Sequence, residues 1–383
     1  MTRCYLDHNA CAPLADEVVA ALVEALSAPA ANPSSVHREG HEMRLRVEAA
    51  RHEVATLLGV GCDDVVFTSG GTEANAGALW GLWAAGGRPP NRRLLVGATE
   101  HPSVRAAVDA LRAFGASIEE IPVSGDGLVS LEALESALGR RGPAIVVVQV
   151  ANSETGVLQP LGEIDRLCRN HGAWLHCDGV QAAGKVTLRP RELGATTLAV
   201  AGHKLGAPAG VGALIVTAGV RLAPLIPGSQ EGHRRGGSEN LLGIVGFGVA
   251  ARVARGTQGQ WAALGIARDA MERRLLTALP GALVLGQTAP RLPNTTCLAL
   301  AAPLRGGVVA AALDMAGFAV SAGPACTAGA EGASPAALAM GFSEAVARRT
   351  LRVSLGLATD PETIDRFTVA LEDVARRVTG VRE

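Results

Sequence analysis

Lysine is almost absent from this chain. Of 35 basic residues only Lys185 and Lys204 are lysines; the rest are arginines. Paired cysteine spacing is missing as well. The seven cysteines, at 4, 11, 62, 168, 177, 297 and 326, are odd in number and scattered, which argues against a disulfide framework and for reduced thiols. Excess charge is missing too: 35 basic against 36 acidic residues leave a net charge of −1, with no electrostatic case for nucleic acid or an anionic membrane. No apolar run approaches the roughly eighteen residues of a membrane span, because glycine, proline or charge interrupts each one. The start, Met1-Thr-Arg-Cys-Tyr-Leu-Asp-His8, lacks the apolar stretch of a secretory signal, so a cytoplasmic protein is expected. Neither a G-x-G-x-x-G fingerprint nor a P-loop occurs, which weakens dinucleotide and nucleoside-triphosphate readings. No repeat of solenoid length is present.

What is there is a large core. The chain has 383 residues, of which 48% are apolar and 19% charged, enough for two packed units or one large α/β unit with a smaller one attached. Apolar strands alternate with amphipathic helices. Val65-Val-Phe-Thr68, Arg93-Leu-Leu-Val-Gly97, Ala144-Ile-Val-Val-Val-Gln-Val150, Ala173-Trp-Leu-His-Cys177 and Val211-Gly-Ala-Leu-Ile-Val216 read as strands, which predicts a mainly parallel sheet covered by helices on both faces. After about residue 255 the pattern changes to a helix near 261–279, short strands, an Ala/Gly-rich loop at 321–336 and a closing helix near 361–378, which predicts a smaller α+β unit. Cys168, His171, His176 and Cys177 suggest a metal site only briefly. The first pair ends a helical pattern, and the second pair alternates across a strand, so no metal is expected.

Ligands of such sheets sit outside the carboxyl ends of the strands. The polar residues just after the strands are Ser69-Gly-Gly-Thr-Glu73, Glu100-His101, Asn152 with Glu154, Asp178 with Gln181, and His203-Lys204. Gly70-Gly71-Thr72 opens a helix, where backbone N–H groups and a hydroxyl suit a phosphate; an ordinary capped turn explains it equally well. Lys204 lies in an apolar, glycine-rich stretch, and a desolvated lysine, unlike arginine, can form an imine. Asp178 is placed to cap a helix or to keep a heterocyclic nitrogen protonated. The second role, joined to an amine, is what pyridoxal phosphate (PLP) requires in order to act as an electron sink.

The order of these pieces is specific. It runs Tyr5-Leu-Asp-His-Asn-Ala10, Asn32-Pro-Ser-Ser-Val-His37, Thr68-Ser-Gly-Gly-Thr-Glu-Ala-Asn75, Thr99-Glu-His101, Asn152-Ser-Glu-Thr-Gly156 and Cys177-Asp-Gly-Val-Gln181. It continues with His203-Lys204, Gly236-Gly-Ser-Glu-Asn240, Ser321-Ala-Gly-Pro-Ala-Cys326 and Arg352-Val-Ser-Leu-Gly356. Nearly end to end, the chain resembles the class V aminotransferase group of PLP enzymes, and within it the NifS/IscS-like cysteine desulfurases.

The resemblance implies the PLP-dependent transferase fold type I, with a mainly parallel seven-stranded sheet. It also implies a large PLP-binding domain at residues 15–255 and a small domain made of 1–14 and 256–383. Lys204 would hold PLP through an imine and move the substrate Cα proton, and His101 would stack on the ring and assist as acid or base. Asp178 would pair with the ring nitrogen and Gln181 with the phenolic oxygen. Gly71, Thr72 and His203 would hold the phosphate, joined by Ser238 from a partner subunit of a homodimer. Asn152 and Arg352 would bind the substrate carboxylate, for which a planar guanidinium fork is suited. Cys326, on a small-residue loop, would take sulfur from L-cysteine as a persulfide, leaving alanine, and pass it to an acceptor protein for iron–sulfur or other sulfur-cofactor assembly. A selenocysteine lyase, another class V aminotransferase and a catalytically idle PLP-binding partner protein are the competing expectations.

Three positions depart from the family pattern: Ala201 in place of a phosphate-binding serine, Gly232-His233 in place of Arg-Gly, and Pro324 beside the loop thiol. The chain ends about thirty residues beyond Arg352, so a long scaffold-docking tail is not expected.

Overall fold

The structure is a computed structural model that describes residues 3–28, 31–85, 93–140, 142–217, 219–323 and 332–379. In chain order it begins with β1 (Cys4–Tyr5), α1 (Asp16–Ser27), α2 (Arg38–Leu58), β2 (Val65–Thr68) and α3 (Gly71–Ala84). Next come β3 (Arg93–Gly97), α4 (Pro102–Ala113), β4 (Ser117–Ile121), α5 (Leu131–Leu138), β5 (Ala144–Gln149) and α6 (Leu161–His171). The first half closes with β6 (Trp174–Asp178), β7 (Thr197–Ala201), β8 (Gly212–Val216), a short turn α7 (Gln230–His233) and α8 (Leu241–Thr257).

Strands β2 to β8 form one seven-stranded sheet in the order β2-β8-β7-β6-β5-β3-β4. Strands β4, β3, β5, β6 and β7 run parallel, while β8 is antiparallel to both β7 and β2. The reversal has a length argument. A parallel crossover needs about a dozen residues, and only residues 202–211 separate β7 from β8. The five strands anticipated above are present within a residue at most boundaries. Strands β4 and β7 were not among them; in β4, Ser117-Ile-Glu-Glu-Ile121 carries two glutamates and is only partly covered. Such charge is common on an edge that must not pair further. Strands β5 to β8 are almost wholly buried, and all but β6, which carries His176 and Asp178, are mainly apolar, as expected of strands covered on both faces.

The second half contains α9 (Trp261–Ala278), β9 (Leu283–Val284), β10 (Thr295–Ala299), α10 (Gly306–Met315) and β11 (Phe318–Ala319). It ends with α11 (Pro335–Ala339), α12 (Glu344–Ala347), β12 (Thr350–Ser354) and α13 (Pro361–Thr379). Helix α9 stops before Pro280, which cannot continue a helix. Strand β10 pairs antiparallel with β9 and β12, and β1 pairs parallel with β11. The apolar residues divide accordingly. One core joins Val18, Phe67, Val146, Leu198 and Phe247 around the large sheet. Another joins Cys4 and Leu6 to Leu275, Leu298, Leu313, Val353 and Phe367. The amino-terminal strand is therefore part of a core built mostly by the carboxyl-terminal third.

Candidate active site

Four of the five parallel strands, β3, β5, β6 and β7, carry candidate polar residues at or just beyond their carboxyl ends. A single 3-10 turn, Gly202–Lys204, follows β7. The turn is tight enough that a Cβ on Gly202 would lie 2.8 Å from Val211 Cγ1. It points the half-buried Lys204 at the amino-terminal segment, where Nζ donates to the carbonyls of Asn9 and Ala10, the latter at 2.8 Å. Gln181 reaches the same place from the segment after β6, and its Nε2 donates to Asn9 O at 3.0 Å.

Asp178, the last residue of β6, is buried. Its Oδ2 accepts from Asn75 Nδ2 at 2.8 Å, and its Oδ1 from the Val180 amide at 3.0 Å. His176, two residues earlier and so on the same face of the strand, makes a 3.1 Å bond to Asn75 Oδ1. Because that oxygen only accepts, the proton is on His176 Nε2; Nδ1 then accepts from Thr197 Oγ1 at 2.9 Å. Burial holds this imidazole neutral, down to about 4. Asn75, on α3, thus fastens two adjacent polar groups of β6 at once. It was absent from the candidate residues because nothing local in the sequence connects position 75 to position 178.

His101 caps α4, accepting from Ser103 N at 3.1 Å through Nδ1. Burial lowers its pKa; the Asp178 carboxylate opposes that shift and the Lys204 charge reinforces it. His101 therefore lies within electrostatic reach of both the carboxylate and the amine. His203 is pushed down to about 4 by burial and by Lys204, Lys185 and His101. Glu100 accepts from Gln149 N at 2.7 Å, and burial raises its carboxyl well above the usual range, with the charge of Asp178 adding to the effect.

The fourteen-residue helix α3 starts at Gly71, with Thr72 exposed beside it. A Cβ on Gly71 would stand 2.6 Å from Val180 Cγ2 and 3.5 Å from the Ala201 methyl. The helix end is thus wedged between the segments carrying Asp178 and Lys204, and only glycine fits. Ala201 is fully buried beneath it and offers no hydroxyl. Free amides at a helix start attract an anion. An amine, a buried carboxylate held by two donors, and this amide cradle match the aldehyde, ring nitrogen and phosphate of PLP, so the residues present fit that group.

Arg352 and Asn152 both have internal partners. Arg352, buried in β12, donates through Nη2 to Asp7 Oδ1 at 2.8 Å and through Nη1 to Ser153 O at 3.1 Å, while its buried Nε has no partner. The guanidinium thus carries an internal carboxylate, Asp7, which sequence reading quoted within a motif but gave no role. Asn152 Oδ1 accepts from the amides of Glu154 and Thr155 and from Thr155 Oγ1, and its Nδ2 donates to Thr99 O at 3.2 Å. Its side chain therefore folds the 152–156 turn. Ser238 is exposed and lines a small crevice with Thr68 and Ser69. The neighbouring Gly232-His233 departure falls where Glu231, Gly232 and His233 all have left-handed backbone, with the Glu231 carboxylate clamped by Arg51 at 2.7 and 2.8 Å.

Cys326 and Pro324 lie outside the described residues. The flanks of their loop are described. Ser321 Oγ donates to Asp7 Oδ2 at 2.8 Å, and Ser334 Oγ donates to the buried Glu154 Oε2 at 2.6 Å. Both ends are thereby tied to residues that touch, or neighbour, Arg352 and Asn152. Among the described residues no disulfide is formed, and Cys4, Cys168, Cys177 and Cys297 are buried. Burial pushes the Cys168 thiol up to about 12 and raises those of Cys177 and Cys297 as well, which makes poor nucleophiles of them. Among the described residues no cluster suited to a metal occurs, and no helix is long and apolar enough to cross a membrane.

The architecture is that of the PLP-dependent enzymes of fold type I. The aminotransferase class V family model matches residues 4–367, and the chain belongs to that family. It is 40% identical over its whole length to a cysteine desulfurase of Cereibacter sphaeroides, covering 98% of that protein. It is 37% identical to the cysteine desulfurase NifS of Azotobacter vinelandii, covering 94% of it. A NifS-like protein from Rickettsia africae superposes with a TM-score of 0.88 at 28% identity, covering 97% of this chain and 99% of that one.

Proposed function

We propose that the protein is a PLP-dependent cysteine desulfurase, a homodimer of the cytoplasm that converts L-cysteine to L-alanine and passes the sulfur to an acceptor protein. The observation that carries this is the grouping of the Lys204 amine and the buried Asp178 carboxylate around His101, with the Gly71 helix start packed against Val180 and Ala201, in a chain 40% identical to a cysteine desulfurase. Lys204 would hold the aldehyde of PLP, Asp178 the ring nitrogen, Gln181 the phenolic oxygen, and Gly71, Thr72, His203 and the partner subunit's Ser238 the phosphate. With only Thr72, His203 and Ser238 as side-chain donors in that set, Ala201 supplies none. Bound there, PLP supplies an electron sink for the substrate α-carbon.

The chain's own residues do the rest. Arg352, with Asn152 at the adjoining turn, orients the substrate carboxylate. Lys204 Nζ takes the Cα proton and returns it, and His101 assists as acid or base. The Cys326 thiolate attacks the substrate Sγ. The Cβ–Sγ bond breaks with its electron pair left on carbon, which is protonated to give alanine, and the sulfur remains on Cys326 as a persulfide. Residues 15–255 form the PLP-binding part in this proposal, and 1–14 with 256–383 the part that carries the thiol; the core that joins Cys4 and Leu6 to the carboxyl-terminal third supports that division.

The test is the visible spectrum of the purified protein before and after L-cysteine, with alanine and sulfide measured in parallel. A coloured protein producing both is expected, and Cys326→Ala should keep the colour and lose both products. A colourless protein producing neither overturns the proposal. Transamination that survives Cys326→Ala assigns another class V reaction instead.

A further inference from the structure

Ser103 has no part in the function proposed above, yet it touches an imidazole that does. Its backbone N–H donates to His101 Nδ1 at 3.1 Å, and its Oγ lies 2.8 Å from the same nitrogen. The amide hydrogen cannot face a second hydrogen on Nδ1, so Nδ1 presents a lone pair. The Ser103 hydroxyl is then the donor in the shorter contact. On its other side Oγ accepts from Asn75 Nδ2 at 3.0 Å. Asn75 is only 1% exposed, and its amide is not free to flip. Its Oδ1 meets His176 Nε2 at 3.1 Å and its Nδ2 meets Asp178 Oδ2 at 2.8 Å, so a flip would set oxygen against carboxylate oxygen. One hydrogen-bonded chain therefore joins Asp178, Asn75, Ser103 and His101. Asn75 donates to Asp178 and to Ser103, and Ser103 donates to His101.

We propose that Ser103 is a positioning residue that holds His101 as the neutral imidazole with its proton on Nε2, and that Asn75 ties this arrangement to Asp178. In that form Nε2 can give a proton and cannot take one. Of the two roles open to His101, acid or base, it therefore enters as the acid. A second proton would have to go on Nδ1, where it would face the Ser103 amide and break the cap of α4. Burial lowers the His101 pKa in the same sense; Asp178 at the end of β6 opposes the shift, and Lys204 in the turn after β7 adds to it. His101 in turn acts on His203 of that turn. Neither Ser103 contact involves these groups, so removing the hydroxyl leaves them in place. The inference rests on His101 being the acid–base residue of the proposed reaction.

The test reads the ring nitrogens directly. The chain has nine histidines. The full-length protein, freed of PLP and labelled with 15N at histidine, gives their nitrogen resonances, and His101→Gln identifies the one wanted. Above its titration midpoint, wild-type His101 should be almost wholly the Nε2–H tautomer. In Ser103→Ala the midpoint should rise by about half to one pH unit, the order expected of losing one hydrogen bond to the neutral form. Ser103→Thr keeps the hydroxyl and should stay within about 0.2 pH unit of wild type. The wild-type tautomer needs no variant of Ser103, and it decides the matter if Ser103→Ala fails to fold. An Nδ1–H tautomer in wild type, or an alanine-variant midpoint within about 0.2 pH unit of wild type, overturns the proposal. PLP capture and alanine production, measured on the same protein, separate this inference from the reading beneath it. An Nε2–H imidazole in a chain that takes up no PLP supports the Ser103 contact and overturns the desulfurase reading. An Nδ1–H imidazole in a chain that makes alanine from L-cysteine has the opposite meaning.

Discussion

Replacing Asn75 by leucine tests whether one side chain of α3 holds the acidic end of the site. The substitution keeps the approximate volume and removes three contacts: to Asp178 Oδ2 at 2.8 Å, to His176 Nε2 at 3.1 Å and to Ser103 Oγ at 3.0 Å. Losing a hydrogen bond to a charged acceptor costs about 1.5–3 kcal/mol, and leaving a buried donor such as His176 Nε2 unsatisfied costs about 1–3 kcal/mol. Added apolar contact from leucine offsets about 1 kcal/mol. The net loss is about 3 kcal/mol, which for a unit of this size lowers the thermal midpoint by about 6–12 °C. The assay is thermal unfolding of the full chain without PLP, followed by near-ultraviolet circular dichroism. A midpoint within about 2 °C of wild type would refute the reasoning, because buried unsatisfied groups cannot be that cheap.

Arg352→Lys keeps a positive charge and loses the planar fork, so KM for L-cysteine should rise about tenfold or more while the colour of the protein is retained. Asp7→Asn removes the internal carboxylate that occupies Arg352, and KM should fall; an unchanged KM in steady-state kinetics would show that Asp7 does not compete with substrate. His176 is brought from the ordinary 6.5 down to about 4 by burial, so the unfolded chain binds more protons between those values. Its contribution to stability is therefore complete above about pH 6.5 and is lost as the pH falls toward 4, amounting to about 3 kcal/mol. Comparing the pH dependence of thermal midpoints in wild type and His176→Gln isolates this slope from buried Glu100 and Glu154, whose raised values act in the opposite sense. Parallel slopes in the two proteins would refute it.

Much of this was legible before any coordinates. The buried runs at 144–149 and 212–216 announce strands because their residue types and alternation with helices are local properties. Lys204 stood out by scarcity, and Asp178 by its place at the end of an apolar run. The direction of β8 was not legible from its composition, nor was the charged edge strand β4. The resemblance implies a substrate-binding role for Asn152; its hydrogen bonds to the 154 and 155 amides, which fold its own turn, were not legible in the sequence.

The sequence by itself determined the alternation of strands and helices, the order of the chemical side chains, and the resemblance those imply, since periodicity, turn residues and motif order are all written along the chain. Only the tertiary structure decided who meets whom. Asp7 and Arg352 are 345 positions apart, and Asn75 and Asp178 are 103 apart. Lys185 is 19 residues from Lys204 in sequence, but the two share a cavity and a carbonyl through Gln181 and Asn9. The order of strands in a sheet sets such meetings, and no local pattern encodes that order. The scarcity of lysine thus pointed to Lys204, and the packing placed Lys185 at the same cavity.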